Sequence, residues 1–171
     1  MPQAVIIGPP GSGKSTIGKA LARSLSVGFL DTDNLVEKKC GKKISEIFID
    51  EGEENFRELE FVVLQSALLD LVAILSLGGG APIAMRAQDL LKGSGSPIVF
   101  LDVSLATAAP RVGFNRDRPL LLGNPRAQWQ ALYDVRRPIY EELATMTIKV
   151  DGMKVDEIVK AIRKNVMHEA H

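Results

Sequence analysis

The chain has 171 residues, of which 46% are hydrophobic, and it carries 21 basic and 21 acidic side chains. This length suits one compact domain, which we expect to span residues 1–171, and the composition excludes a disordered, collagen-like or coiled-coil protein. The balanced charge argues against nucleic acid or a membrane surface as the principal partner, so we expect a small-molecule ligand. The one cysteine, Cys40, cannot form an internal disulfide and favours a reducing, cytoplasmic location.

Short apolar runs of strand length alternate along the chain with longer segments of helical spacing. The predicted strands are residues 4–7, 28–30, 73–77, 97–101 and 145–150. The predicted helical segments are 14–25, 34–69 with two or three helices, 85–91, 105–112, 127–143 and 155–166. This alternation predicts an α/β fold in which a five-stranded parallel sheet has helices on both faces. Ligands of such sheets gather at the carboxyl ends of the strands.

The apolar segments of the chain predict neither export nor insertion into a membrane. The first apolar run stops at a Gly/Pro cluster, and the longest stretch without charged side chains, residues 71–85, contains three glycines and a proline. Neither has the features of a signal peptide or the roughly 18 apolar residues of a transmembrane helix.

Residues 8–15 fit the pattern G-x-x-x-x-G-K-S, between the first predicted strand and the first predicted helix. In such a P-loop, successive backbone N–H groups face phosphate oxygens. Lys14 would reach the β- and γ-phosphates and the Ser15 hydroxyl would bind Mg²⁺. The sequence has no N-K-x-D or D-x-x-G motif, which disfavours a GTPase and favours an adenine nucleotide. The predicted nucleotide-binding residues of this motif are Gly11, Ser12, Gly13, Lys14, Ser15 and Thr16, of which Thr16 also suits packing within the helix.

The second strand ends in Asp31-Thr32-Asp33, close to the P-loop in a βαβ fold. One carboxylate can serve a metal ion and the other a substrate. Alternatively, Asp33 caps the helix that begins near Asn34, since Asp favours that position.

The third strand leads into Gly78-Gly79-Gly80, whose backbone N–H groups suit an anionic oxygen. The alternative is a tight turn that continues through Pro82.

Arg57 lies in a segment with helical spacing, where apolar residues mark the packed face. It is a candidate for binding an anionic substrate. Its distance in sequence from Glu53 and Glu60 also allows a plain ion pair on a helix surface, which would contribute little.

Residues 113–126 are long for a connector and rich in Gly, Pro, Asn and Arg, which predicts either a mobile lid or a surface loop. Phosphoryl transfer needs cations that offset the charge on the moving phosphate. Sequence spacing does not choose among the arginines around this segment, which are Arg111, Arg116, Arg118, Arg136 and Arg137.

Two weaker signals have simpler explanations. Asp102 follows a buried strand as a Walker B aspartate would, but any strand that leads into a helix-capping Asp has this pattern. His168 and His171 could be metal ligands, although an exposed tail explains them better.

Taken in order and spacing, these motifs resemble the shikimate kinase family over nearly the whole chain. The motifs are the P-loop, Asp31-Thr32-Asp33, the Phe56-Arg57 helix, Gly78-Gly79-Gly80, residues 115–121 and residues 136–140. The P-loop run and the S-L-G-G-G segment resemble the actinobacterial branch. The resemblance implies a fold of the nucleoside-monophosphate-kinase type, with strand order 2-3-1-4-5, that transfers the ATP γ-phosphate to the 3-hydroxyl of shikimate. Pro82 and Phe114 depart from the family pattern.

The resemblance also implies roles for the nucleotide side. Lys14 would hold the β- and γ-phosphates, Ser15 would bind Mg²⁺, and Asp31 would position the ion through water. Arg111 would lie against adenine, and Arg118 on the lid, 113–126, would close onto the transferred phosphate.

For the acceptor, the implied substrate-binding segment is residues 33–61. Asp33 would orient or deprotonate the attacking hydroxyl of shikimate. The implied carboxylate clamp consists of Arg57, Arg136, Gly79 and Gly80, with Glu60 steadying Arg57. The expected partners are shikimate and ATP, without nucleic acid or membrane, and a monomer is expected. The alternatives are another small-metabolite P-loop kinase, such as gluconate kinase, and a non-catalytic nucleotide-binding protein.

Overall fold

The computed structural model describes residues 1–70, 72–112 and 124–169. Its strands are β1 (Ala4–Ile7), β2 (Gly28–Asp31), β3 (Ala73–Ser76), β4 (Ile98–Asp102) and β5 (Met146–Lys149). Its helices are α1 (Lys14–Leu25), α2 (Thr32–Cys40), α3 (Ile44–Ala67), α4 (Met85–Ser94), α5 (Leu105–Val112), α6 (Pro125–Leu143) and α7 (Val155–Glu169).

The five strands form one parallel sheet in the order β2-β3-β1-β4-β5, as predicted. The central strand pairs on both sides, with Val5 opposite Leu75 on β3 and Ile98 on β4. Every residue of β1, β3 and β4 is buried, whereas the edge strands β2 and β5 have partly exposed positions. The buried centre explains the continuous apolar runs, because such strands are covered by helices on both faces.

The structure refines several predicted helix boundaries. Helix α2 begins at Thr32 because the Asp31 carboxylate accepts hydrogen bonds from the backbone N–H groups of Asp33 and Asn34. The capping interpretation of Asp33 was therefore wrong, since the cap is Asp31. Helix α3 has a non-helical residue, Gly52, which divides it into two helical parts.

Helices α2 and α3 enclose a second, smaller apolar cluster beside the main core. Its buried members are Val36, Ile44, Ile47, Phe56 and Val63. Since Phe56 is fully buried there, its neighbour Arg57 is anchored at a defined place on α3. None of the helices in the described ranges is both long and apolar enough to cross a membrane.

Candidate active site

A cleft of about 560 Å³ lies at the carboxyl ends of β1, β2 and β3. This is the edge of the sheet where the sequence predicted the ligand. The cleft is lined by Pro10, Gly11, Ser12, Gly13, Lys14, Ser15, Thr16, Ile17, Asp31, Asp33, Ser76, Leu77, Gly78, Gly79, Arg111, Met153, Val155 and Ile158. The P-loop and the Asp31-Thr32-Asp33 segment therefore share one cavity with the first two glycines of the triplet.

The P-loop joins β1 to α1 and is shaped by glycine. Gly11 has φ of 83°, and a Cβ at this position would lie 2.8 Å from Val112 Cγ2 and 2.9 Å from the carbonyl oxygen of Ala108. Only glycine fits both the backbone angle and the space. Lys14 donates from Nζ to the carbonyl oxygens of Gly8 and Pro9, at 2.8 and 3.0 Å.

Ser15 and Asp31 meet across the cleft. The Ser15 hydroxyl donates to Asp31 Oδ2 at 2.9 Å, while Asp31 Oδ1 caps helix α2. The cap holds the carboxylate in place, so its second oxygen faces the first turn of α1. A hydroxyl and a carboxylate at the end of a P-loop are hard oxygen donors, and this donor set fits Mg²⁺, which commonly shares its ligands with substrate phosphates.

Each glycine of the triplet faces a different predicted substrate-binding side chain. A Cβ at Gly78 would lie 2.6 Å from Asp33 Oδ1, and one at Gly79 would lie 3.4 Å from Arg136 Nη1. A Cβ at Gly80 would lie 2.6 Å from Arg57 Cζ. Asp33 belongs to α2, Arg136 to α6 and Arg57 to α3. One carboxylate and two guanidinium groups from three helices therefore lie next to the triplet.

The Arg57 guanidinium contacts both candidate carboxylates on its own helix. It lies 2.9 Å from Glu60 Oε1 and 3.5 Å from Glu53 Oε1. Glu60 is 2% exposed, so the closer pair is not the surface ion pair that the sequence allowed as an alternative. A buried carboxylate at this distance fixes the direction of the guanidinium.

The predicted adenine side of the cleft is partly described. Arg111, in the last turn of α5, donates from Nη1 to the Gly11 carbonyl at 3.2 Å. The predictions for Arg116, Arg118 and most of the lid, 113–126, fall outside the described residues. Pro125 and Arg126 do not belong to a loop as predicted, because Asn124 caps α6 and Pro125 begins it.

Asp102 is part of a buried network rather than the lining of the cleft. It accepts a hydrogen bond from the Tyr133 hydroxyl at Oδ1 and another from Arg137 Nη2, at 2.8 Å, at Oδ2. Burial and the neighbouring Asp102 carboxylate raise the pKa of Tyr133 well above its ordinary value. The Walker B interpretation of Asp102 is not supported, because both of its oxygens are engaged away from the P-loop. The His168 and His171 side chains lie outside the described residues.

Two residues of the site were given no role from the sequence. Trp129 donates from Nε1 to the carbonyl oxygen of Pro10 at 3.0 Å, and the Tyr140 hydroxyl donates to the carbonyl oxygen of Gly79 at 2.6 Å. Burial raises the pKa of Tyr140 to about 12. Aromatic residues at helical spacing along 127–143 are a signal for a buried helix face, but they do not say which loop each residue contacts.

Comparison with known proteins agrees with this geometry. The family model "Shikimate kinase" matches residues 10–167. A shikimate kinase of Thermobifida fusca is 46% identical over 96% of this chain and 95% of its own length. A shikimate kinase of Salinispora arenicola is 48% identical over 92% of this chain and 93% of its own. Both relatives are actinobacterial, as the sequence motifs indicated.

The solved structures include a shikimate kinase from Acinetobacter baumannii in complex with shikimate. It superposes with a TM-score of 0.93 at 32% identity and covers 99% of this chain and 94% of its own. A gluconokinase from Sinorhizobium meliloti has a TM-score of 0.60 at 19% identity, which shows a shared fold alone. The gluconate kinase alternative therefore has no support beyond the common fold.

The family match covers most of the chain, the relatives match over nearly their full length, and the fold agrees throughout. The predicted P-loop kinase fold, kinase activity and shikimate kinase function are confirmed. The chain belongs to the shikimate kinase family.

Proposed function

We propose that the cleft binds Mg·ATP and shikimate together and transfers the γ-phosphate to the 3-hydroxyl, giving shikimate 3-phosphate and ADP. One observation carries this assignment to specific residues. The glycine triplet brings Asp33, Arg57 and Arg136 to one point, and the P-loop lies in the same cleft. The shikimate complex of the structurally similar Acinetobacter baumannii enzyme supports the choice of acceptor.

The nucleotide side consists of the P-loop and the residues next to it. Backbone N–H groups of Gly11, Ser12 and Gly13 bind phosphate oxygens at the start of α1, where the helix dipole also favours negative charge. Lys14 exchanges its carbonyl partners for the β- and γ-phosphates when ATP enters. Arg111 lies beside Gly13 and packs against adenine.

Ser15 and Asp31 are the residues that would hold Mg²⁺, Ser15 directly and Asp31 through water. When bound, the ion offsets negative charge on the phosphates. Asp31 remains fixed by its capping hydrogen bonds, so it keeps its position whichever nucleotide state is present.

On the acceptor side, the acid's carboxylate binds between Arg57, Arg136 and the N–H groups of Gly79 and Gly80. Two guanidinium groups and two backbone donors suit a carboxylate because charge-assisted hydrogen bonds are short and directional. This clamp leaves the ring hydroxyls directed toward Asp33.

Asp33 accepts a hydrogen bond from the 3-hydroxyl of shikimate. This contact aims the hydroxyl oxygen at the γ-phosphorus. The new bond joins this oxygen to phosphorus, the bond between phosphorus and the ADP oxygen breaks, and the hydroxyl proton leaves toward Asp33. Because the transition state of phosphoryl transfer is loose, positioning and charge compensation matter more than a strong base. Arg118 supplies the remaining cation at the transferred phosphate.

The test is an ADP-release assay with Mg·ATP, run without an acceptor, with shikimate and with gluconate. We expect turnover with shikimate alone at roughly 1 to 100 s⁻¹. A matched assay of Lys14→Met should show turnover reduced to background. Equal turnover without acceptor, or stimulation by gluconate, would contradict the proposed acceptor.

The whole chain acts as one kinase domain and as a monomer, which size-exclusion chromatography with light scattering would test. The single thiol, Cys40, supports a reducing compartment, so the proposed location is the cytoplasm.

A further inference from the structure

Helix α6 contacts the two halves of the cleft through one face. Trp129 and Tyr140 are eleven residues apart, which is about three turns, so their side chains leave the same side of the helix roughly 16 Å apart. Trp129 is 2% exposed and Tyr140 is fully buried. Each side chain places its one polar hydrogen on a backbone carbonyl of a different loop.

The two carbonyls belong to the two substrate-binding loops. Trp129 binds the carbonyl of Pro10 in the P-loop, and Tyr140 binds the carbonyl of Gly79 in the glycine triplet. In a planar trans peptide, the C=O of one residue and the N–H of the next point in opposite directions. Holding the Pro10 carbonyl therefore orients the N–H of Gly11, and holding the Gly79 carbonyl orients the N–H of Gly80.

We propose that Trp129 and Tyr140 are positioning residues, through which one rigid helix aims a phosphate-binding amide and a carboxylate-binding amide. This inference rests on the proposed function, because it assigns those two amides to ATP and to shikimate. Trp129 acts on the nucleotide alone and Tyr140 on the acid alone. Neither residue touches a reacting atom.

The aromatic packing along α6 explains how the two positions stay in register. Tyr133, between them, packs edge-on against the Trp129 ring, with centroids 5.1 Å apart, and lies 6.3 Å from the Tyr140 ring. Phe100 on β4 contacts the Tyr140 ring at 5.2 Å, which fixes the helix to the sheet. A side chain locked in this way loses little entropy when it makes its hydrogen bond, so the amide is already aimed before the substrate arrives.

The experiment compares Trp129→Phe, Tyr140→Phe and Tyr133→Phe with the unmodified protein. Tyr140→Phe keeps the ring and removes the hydroxyl, which donates to the Gly79 carbonyl and also accepts from the Arg136 guanidinium of the same clamp. The KM for shikimate should therefore rise about five- to tenfold while the KM for ATP stays within about twofold. Trp129→Phe should raise the KM for ATP by about the same factor and leave the KM for shikimate within about twofold. Tyr133→Phe loses the hydrogen bond to Asp102, so it should lower stability with both KM values unchanged. Calorimetric titrations with ADP and with shikimate, run separately, should show the same selectivity without turnover. Trp129→Phe should weaken ADP binding alone, and Tyr140→Phe should weaken shikimate binding alone.

The outcomes separate this inference from the proposed function. If the unmodified protein shows no shikimate-dependent turnover, the proposed function fails. If it is active but both variants raise both KM values equally, or neither raises its own, the positioning roles are wrong. Trp129 is the sole tryptophan, so its emission should respond to ADP and not to shikimate. If Trp129→Phe does not fold, the emission of the unmodified protein still tests the role of Trp129. An emission that responds only to shikimate would show that Trp129 does not position the phosphate-binding amide.

Discussion

The Arg57 guanidinium lies 2.9 Å from the Glu60 carboxylate, one turn along the same helix. Glu60 is 2% exposed, while the Arg57 side chain is 26% exposed and reaches the glycine triplet. The pair therefore extends from the core to the glycine triplet, and the buried partner sets the direction of the accessible one.

We expect Glu60→Gln to raise the KM for shikimate about three- to tenfold, with kcat within about twofold. The amide keeps the shape of the side chain but loses the charge that holds the guanidinium, and a hydrogen bond to a charged group contributes about 1.5 to 3 kcal/mol. Glu53→Gln is the matched control, because Glu53 is half exposed and lies 3.5 Å from Arg57. An equal change in the control would mean that net charge, not the buried contact, is responsible.

Arg136→Ala and Arg57→Ala should each raise the KM for shikimate by at least about tenfold, since each removes a charge-assisted contact to the carboxylate. Arg137→Ala should leave this KM unchanged, because Arg137 pairs with Asp102 and Glu141. Steady-state kinetics with varied shikimate would measure all three. Normal shikimate affinity in both clamp variants would refute the clamp.

Gly80→Ala should weaken shikimate binding strongly and leave ADP binding intact. The added Cβ would displace the Arg57 guanidinium, whose Cζ it would approach to 2.6 Å. Gly93→Ala is the control, since a Cβ there meets no atom within 4 Å, and in helix α4 it should increase stability by about 0.5 to 1 kcal/mol. Calorimetric titration with each ligand would distinguish the two variants, and a retained shikimate affinity in Gly80→Ala would contradict the close approach.

Arg118→Ala should lower kcat by at least about 100-fold while shikimate binding changes little. A cation that meets the transferred phosphate stabilises the transition state more than the ground state, and such arginines contribute large factors to kcat. Single-turnover measurements would isolate the chemical step. An unchanged kcat would exclude Arg118 from that role.

The stability of the protein should fall between about pH 10 and 12, in part because of Tyr140. An unfolded tyrosine loses its proton near pH 10, whereas burial raises the pKa of Tyr140 to about 12 in the folded state. The raised pKa stabilises the folded protein fully below pH 10, and this contribution is lost as the pH rises through 12. In urea unfolding, the stability difference between the unmodified protein and Tyr140→Phe should be constant below pH 10 and shrink above it. A difference that stays constant to pH 12 would contradict the raised pKa.

Much of the fold follows from local patterns. The boundaries of β1, α1 and α5 match the predicted residues, and the remaining strands differ by no more than one residue at either end. Continuous apolar runs mark strands that are covered on both faces, and the P-loop motif needs only consecutive residues. The Asp31-Thr32-Asp33 segment and the glycine triplet could be placed at the same edge, because the carboxyl ends of parallel strands all lie there.

Which side chains meet in the cleft was decided by packing between distant segments. Arg136 and Arg137 are adjacent in sequence, yet a helix turns by about 100° per residue, so one reaches Gly79 and the other Asp102. From sequence spacing alone, both arginines were equally good candidates for the site. Spacing also allowed Arg57 to form only an ion pair with Glu53 or Glu60 on a helix surface. The placement of α6 against the sheet and of Glu60 in the core separates these cases, because burial and direction depend on residues far away in the chain.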